Sequence, residues 1–136
     1  MLSSLWSLFI AILFWLMICA WMDWKQRTVS NWLTIPPICL AILFRLLGLG
    51  TGSFQEILAI TLILAVAWST HLAGGADIKA ILAVTILNPA FAAWAWGGAI
   101  VIYFLLRLAR KKTSRFPGMI GFFVGLLTYG LWSYLG

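Results

Sequence analysis

Two aspartates carry most of the chemistry this sequence has to offer. Asp23 closes the first apolar run, and Asp77 ends the stretch Gly74-Gly75-Ala76-Asp77, which continues into Ile78-Lys79. Only three acidic residues occur in the chain, the third being Glu56. An ionised carboxylate at the bilayer centre costs about 2.5–3.5 kcal/mol on insertion scales, so an acid set among apolar segments is a functional suspect. Two carboxylates held together at low dielectric do not both ionise easily, and they tend to share one proton. The ionised member can then take a proton from an attacking water, while the protonated member polarises a carbonyl and later returns its proton. Taken singly, each aspartate reads more readily as a helix cap or a paired group. Taken together on one side of a membrane, they favour catalysis.

The rest of the composition leaves little else. Of 136 residues, 64% are hydrophobic and 9% charged, where a soluble domain has about a quarter charged. The apolar runs are long enough for a hydrocarbon core of about 30 Å. The expected fold is therefore an all-α integral membrane protein, one domain over residues 1–136, built as a six-transmembrane-helix bundle with a short fourth helix. Cys19 and Cys39 fall inside apolar segments without CxxC or Cys/His spacing, which makes them buried small hydrophobes with no metal ligation or disulfide. No cofactor and no metal site is expected. His71 reads as an interfacial histidine in preference to a base or ligand.

The net charge of +6 does not indicate nucleic acid, because the cations are gathered in linkers. Lys25 and Arg27 follow the first segment, and Arg107, Arg110, Lys111, Lys112 and Arg115 follow the fifth. That distribution marks cytoplasmic connections under the positive-inside rule. Residues 1–24 lack a basic start and a small-residue cleavage site, so they read as a retained first span. The spans fall at about residues 5–22, 32–49, 54–71, 78–87, 90–108 and 118–134, which places both termini outside. Asp23 and Asp77 then share the cytoplasmic boundary.

Local features fit this layout. Pro36 and Pro37 fall in the first turn or two of the second segment, where proline is best tolerated. Arg45, near the outer interface, has Glu56 as a possible partner. The fourth segment is short before Asn88-Pro89, so it is either enclosed by longer neighbours or continues through a proline kink. Gly74-Gly75-Ala76 reads as a flexible connection, with Asp77 at the start of the next helix, where a carboxylate meets orphan N–H groups and the positive dipole end. Gly121-x-x-x-Gly125 suits close helix contact. Trp6, Trp21, Trp24, Trp32 and Trp132 read as interfacial anchors. Lys25 and Lys79, each two residues after an aspartate, either mark the interface or lower the carboxylate pKa values and contact substrate.

The two aspartate motifs together resemble those of the type IV prepilin and preflagellin peptidases, aspartic proteases of the membrane. The family pattern Gly-x-Gly-Asp-x-Lys is matched by Gly74-Gly75-Ala76-Asp77-Ile78-Lys79. Its first motif, an aspartate closing the first span before basic residues and Ile-Pro-Asn-x-Leu, is matched by Asp23 to Leu33, with Asn31 in the asparagine position. Phe116-Pro117-Gly118 resembles the family's start of the last span. Ala76 replaces the second motif glycine, and Val29-Ser30 replaces Ile-Pro; neither change removes an acid.

The resemblance covers nearly the whole chain and is to the minimal members, which lack the methyltransferase-associated domain. It implies a catalytic dyad of Asp23 and Asp77, supported by Lys25, Lys79, Gly74, Gly75 and Asn31. It also implies a prepilin-like or preflagellin-like substrate, cleaved at the cytoplasmic face of the cell membrane to release a short basic leader. The competing reading is a non-catalytic membrane subunit, or a protein that handles ions or protons through the paired aspartates.

Overall fold

The computed structural model describes residues 2–26, 28–71, 73–109 and 118–135. Over these residues the protein is all α, in six helices: α1 (Leu2–Gln26), α2 (Asn31–Leu46), α3 (Phe54–Ser69), α4 (Gly75–Leu87), α5 (Pro89–Leu108) and α6 (Gly118–Leu135). Each apolar segment of the sequence thus becomes one helix. Three of them, α1, α5 and α6, are long and apolar enough to cross a membrane, and α2 and α3 are shorter apolar helices. Arg27, Arg110, Lys111, Lys112, Arg115, Phe116 and Pro117 lie outside the described residues.

α4 is the centre of the bundle. It packs against α2, α3, α5 and α6, and buries Ala80, Ile81, Ala83, Val84, Thr85 and Leu87. A helix apolar all round must be enclosed, and its 13 residues give only about 20 Å of length. Of the two sequence-based options, enclosure is the one adopted. Asn88, at φ −156° and ψ 103°, breaks the path between α4 and α5. Its side-chain oxygen accepts from the N–H groups of Ala90 at 3.0 Å and Phe91 at 3.4 Å. Pro89 opens α5, where a missing N–H costs no helical bond.

The start of α4 corrects the sequence reading. Gly75 and Ala76 do not form a flexible link; they make the first turn of the helix, with Gly74 as its N-cap. The Ile78 N–H bonds the Gly74 carbonyl at 3.1 Å, and Asp77, third in the helix, accepts from the Gly74 N–H at 3.3 Å. That reach-back recruits the small residues into the helix.

Close helix approach elsewhere follows the small residues. On the seam between α5 and α6, a Cβ at Gly98 would lie 2.6 Å from the Gly121 carbonyl oxygen, and one at Gly125 would lie 2.9 Å from Ala95 Cα. This is the small-xxx-small packing expected of Gly121 and Gly125. Further along α6, Gly130 receives the ring of Phe9 from α1.

α2 runs on through Pro36 and Pro37, which stand deeper in the helix than its first turn. Pro37 has no N–H to offer the Leu33 carbonyl one turn back. The indole N–H of Trp15, on α1, donates to that carbonyl instead, at 2.9 Å. A proline defect in one helix is thereby turned into a fastening to another.

Three smaller expectations change. Arg45 does not pair with Glu56; its guanidinium donates to the carbonyls of Thr51 and Gly52, while Glu56 caps α3. Cys19 is buried as expected, but Cys39 is exposed, because it lies on an outer face of α2. His71 takes a left-handed φ of 56° just past the end of α3, where its N–H bonds the Trp68 carbonyl at 3.1 Å. It does the work glycine usually does after a helix. The anchors Trp6, Trp21, Trp24, Trp32 and Trp132 are all exposed.

Candidate active site

Asp77 is held by its backbone at the first turn of α4, and Asp23 by the last turn of α1. The two carboxyls come from opposite helix ends that meet at one end of the bundle. Both are half-buried, and the charge of Asp23 acts on Asp77. Burial first, then the Asp23 charge, pushes the Asp77 carboxyl up from 3.8 to about 6, against a smaller lowering by the Gly74 N–H. Desolvation and a like charge both disfavour the ionised form. Asp77 therefore keeps its proton to a higher pH than an ordinary aspartate does.

A third element closes on the same carboxyl. Gly118 is buried at the start of α6, and a Cβ there would sit 2.6 Å from the Asp77 carboxyl carbon and 2.7 Å from its Oδ1. The absence of a side chain at Gly118 is what allows α6 to lie against the acid. Sequence reasoning gave Gly121 and Gly125 a packing role, and Gly118 a place in the start of the last span without a contact to either aspartate. The available signal was positional: Gly118 follows the basic linker after α5, and so stands at the level of the two aspartates.

The supporting residues are disposed unequally. Lys79 donates to Asn31 Oδ1 at 2.7 Å, which joins the first turn of α2 to α4 just beyond Asp77. That bond is an addition to the two readings of Lys79, as an interface marker or as a cation acting on the carboxyls and substrate. Gly74 supplies the N–H that Asp77 accepts, and Gly75 is exposed in the first turn with nothing near its missing Cβ. Lys25 is exposed. Among the described residues no three of His, Cys, Asp and Glu gather as metal ligands. Asp23 and Asp77 are the two carboxyls close enough for the charge of one to act on the other.

A helical bundle with spans long enough for a membrane and two acids converging at one end has the make-up of a membrane-embedded hydrolase. The chain belongs to the type IV leader peptidase family, whose sequence model matches residues 10–133. It is accordingly a peptidase and a membrane protein, and both aspartates fall within the match. No curated protein and no solved structure shows a significant match to the chain.

Proposed function

We propose that the protein is a six-span aspartic endopeptidase that removes the short basic leader from prepilin-like or preflagellin-like precursors at the cytoplasmic face of the cell membrane. The observation that carries this reading is the meeting of two carboxyls at one end of the bundle, where burial and the Asp23 charge push the Asp77 carboxyl up to about 6. Family membership supplies the reaction class, and the charge distribution of the sequence supplies the face.

In this mechanism Asp77 donates a hydrogen bond to the scissile carbonyl oxygen, and ionised Asp23 takes a proton from water as the water oxygen attacks the carbonyl carbon. The tetrahedral intermediate collapses when the C–N bond breaks. As that bond breaks, the proton held by Asp23 passes to the departing nitrogen, and Asp77 is left with its own proton. Lys79 and Asn31 hold the mouth of α4 against α2, so that Asp77 stays aimed at the same point. The leader's cations and the basic linkers repel each other, and the acids together with anionic headgroups offset that repulsion.

The test is cleavage of a co-expressed prepilin-like precursor by the wild type, Asp23→Asn and Asp77→Asn, with membrane insertion of each verified. Both substitutions are expected to lower cleavage by a factor of about 1,000 or more, since general acid–base groups contribute about 100- to 10,000-fold each. Cleavage that survives either change ends the aspartic reading. It would leave the aspartates to a non-catalytic or ion-handling role.

A further inference from the structure

At the end of the bundle away from the aspartates, a cavity of about 830 Å³ lies between α1, α3, α6 and the α4–α5 junction. It is remote from the site above: residues 9 and 23 of α1 are about 21 Å apart along the helix axis, and residues 77 and 88 about 17 Å. Its walls include the rings of Trp6, Phe9, Phe91 and Tyr129, and among the described residues Glu56 is the one carboxylate in its lining. Phe9 and Phe91 meet edge to face with centroids 5.4 Å apart, and Phe91 and Tyr129 are 5.1 Å apart.

Two features define what this cavity would hold. Glu56 Oε2 is engaged by the Ser53 N–H at 2.8 Å, which leaves Oε1 as an acceptor. Thr51, also in the wall, has a buried hydroxyl with no hydrogen-bond partner. A carboxylate beside aromatic faces suits an organic ammonium group, and the unmet hydroxyl adds an acceptor for its N–H. Behind the same loop, Arg45 binds the Thr51 and Gly52 carbonyls, so a cation stands beside the anion. Negative and positive groups side by side complement a zwitterionic headgroup.

We propose that this cavity binds an ethanolamine phospholipid, with the ammonium at Glu56 and the phosphate on the Arg45 side. The acyl chains leave along the exposed apolar flanks of α1 and α3. The site is independent of peptide hydrolysis and requires only that the bundle sit in a bilayer.

The experiment is native mass spectrometry of the detergent-solubilised protein, titrated with short-chain phosphatidylethanolamine, phosphatidylcholine and phosphatidylglycerol. Wild type is expected to bind the ethanolamine lipid at least tenfold more tightly than the other two. Glu56→Gln keeps an oxygen for the Ser53 N–H and removes the charge, and it should erase that preference. Ala93→Trp fills the cavity and should lower binding of the ethanolamine lipid at least tenfold with Glu56 intact. Equal binding of the three lipids by wild type, an unchanged preference in folded Glu56→Gln, or undiminished binding of the ethanolamine lipid by folded Ala93→Trp overturns the proposal. Equal binding of the choline lipid alone overturns the ethanolamine assignment. Tighter binding of a lysine-bearing peptide than of any lipid points to a protein partner instead, and also overturns it.

Discussion

Asp77 and Glu56 occupy the same place in two helices, and their difference is instructive. Each is the third residue of its helix, and each carboxylate accepts from the backbone N–H of the N-cap, Asp77 from Gly74 at 3.3 Å and Glu56 from Ser53 at 2.8 Å. Around Glu56 the box is complete, because the Ser53 hydroxyl accepts in turn from the Glu56 N–H at 3.2 Å. Around Asp77 it is half-built, because glycine has no hydroxyl to return. Glu56 is exposed, whereas Asp77 is half-buried against Gly118 and feels Asp23. A carboxylate at a helix start is a cap by default. What sets Asp77 apart is a short, open capping arrangement with a second acid and a bare glycine pressed upon it.

The sharpest break in that comparison comes through Gly118. Gly118→Val is expected to cut cleavage by a factor of about 100 or more, because a misplacement of about 1 Å at a reacting group costs that much. Gly118→Ala should fall between Val and wild type. In both cases kcat should fall further than KM rises, since the added carbons meet the Asp77 carboxyl and not the α5 backbone. Gly125→Val probes the contrary case, as its new side chain meets the backbone of α5. It should lose expression and thermal stability together with activity, by about 1–3 kcal/mol or more. Equal losses of stability at positions 118 and 125 would remove Gly118 from the site.

The pH dependence separates a chemical acid from a cap. The Asp77 carboxyl is raised from 3.8 to about 6, so between those values the native protein binds the proton that the unfolded chain has released. Stability therefore falls as pH rises through that window. The full shift corresponds to about 3 kcal/mol at most. Asp77→Asn keeps an oxygen for the Gly74 N–H and abolishes this cost. It is expected to raise stability by about 1–3 kcal/mol at pH 8 and to change it little at pH 4, as read by thermal unfolding in detergent. In the active enzyme, kcat/KM should decline above about pH 6, as one proton of the pair is lost. In Asp77→Glu, if it retains activity, that decline should shift. A stability gain that persists undiminished at pH 4 would mean Asp77 is not the group being relieved.

How much of this was legible beforehand follows from which interactions are local. The six helices were, because their apolar runs and breakers are properties of consecutive residues. The shared level of Asp23 and Asp77 was also, because charge placement in the linkers fixes which helix ends lie together. The fastening of Trp15 to the Leu33 carbonyl was readable only in part: Pro37 announces a free carbonyl, yet nothing in the sequence says which donor arrives. The contact of Gly118 with Asp77 and the Lys79–Asn31 bond depend on how α6 and α2 lie against α4, and spacing along the chain does not encode that. The helical state of Gly75 and Ala76 was misread for a simpler reason. Small residues permit a flexible link, but a carboxylate two positions on supplies the bond that makes them a first turn.

Removing Ser53's return bond tests the complete box directly. Ser53→Ala should cost about 1 kcal/mol, the usual loss for an N-cap hydroxyl, with Glu56 still accepting from the backbone. A hydrogen-exchange measurement should confine the effect to the first turn of α3. Spread to α4 would show that the start of α3 is coupled to the far end of α4 through the Thr51 N–H, which bonds the Leu87 carbonyl at 3.0 Å.

The smallest effect is the most discriminating. Gly74→Ser supplies the hydroxyl missing from the Asp77 box, and on local grounds it should stabilise α4 by a few tenths of a kcal/mol, the difference between Ser and Gly as N-caps. The new Cβ would stand 3.3 Å from Asp77 Oδ2, so it also holds the carboxylate more firmly towards its own backbone. If Asp77 serves only as a cap, tighter capping leaves every other property alone. If Asp77 must turn from the Gly74 N–H towards a substrate carbonyl, the same substitution lowers kcat severalfold while Tm rises. The two quantities then move in opposite directions, an outcome that loss of folding cannot imitate. A rise in Tm with unchanged kcat would return Asp77 to the same standing as Glu56.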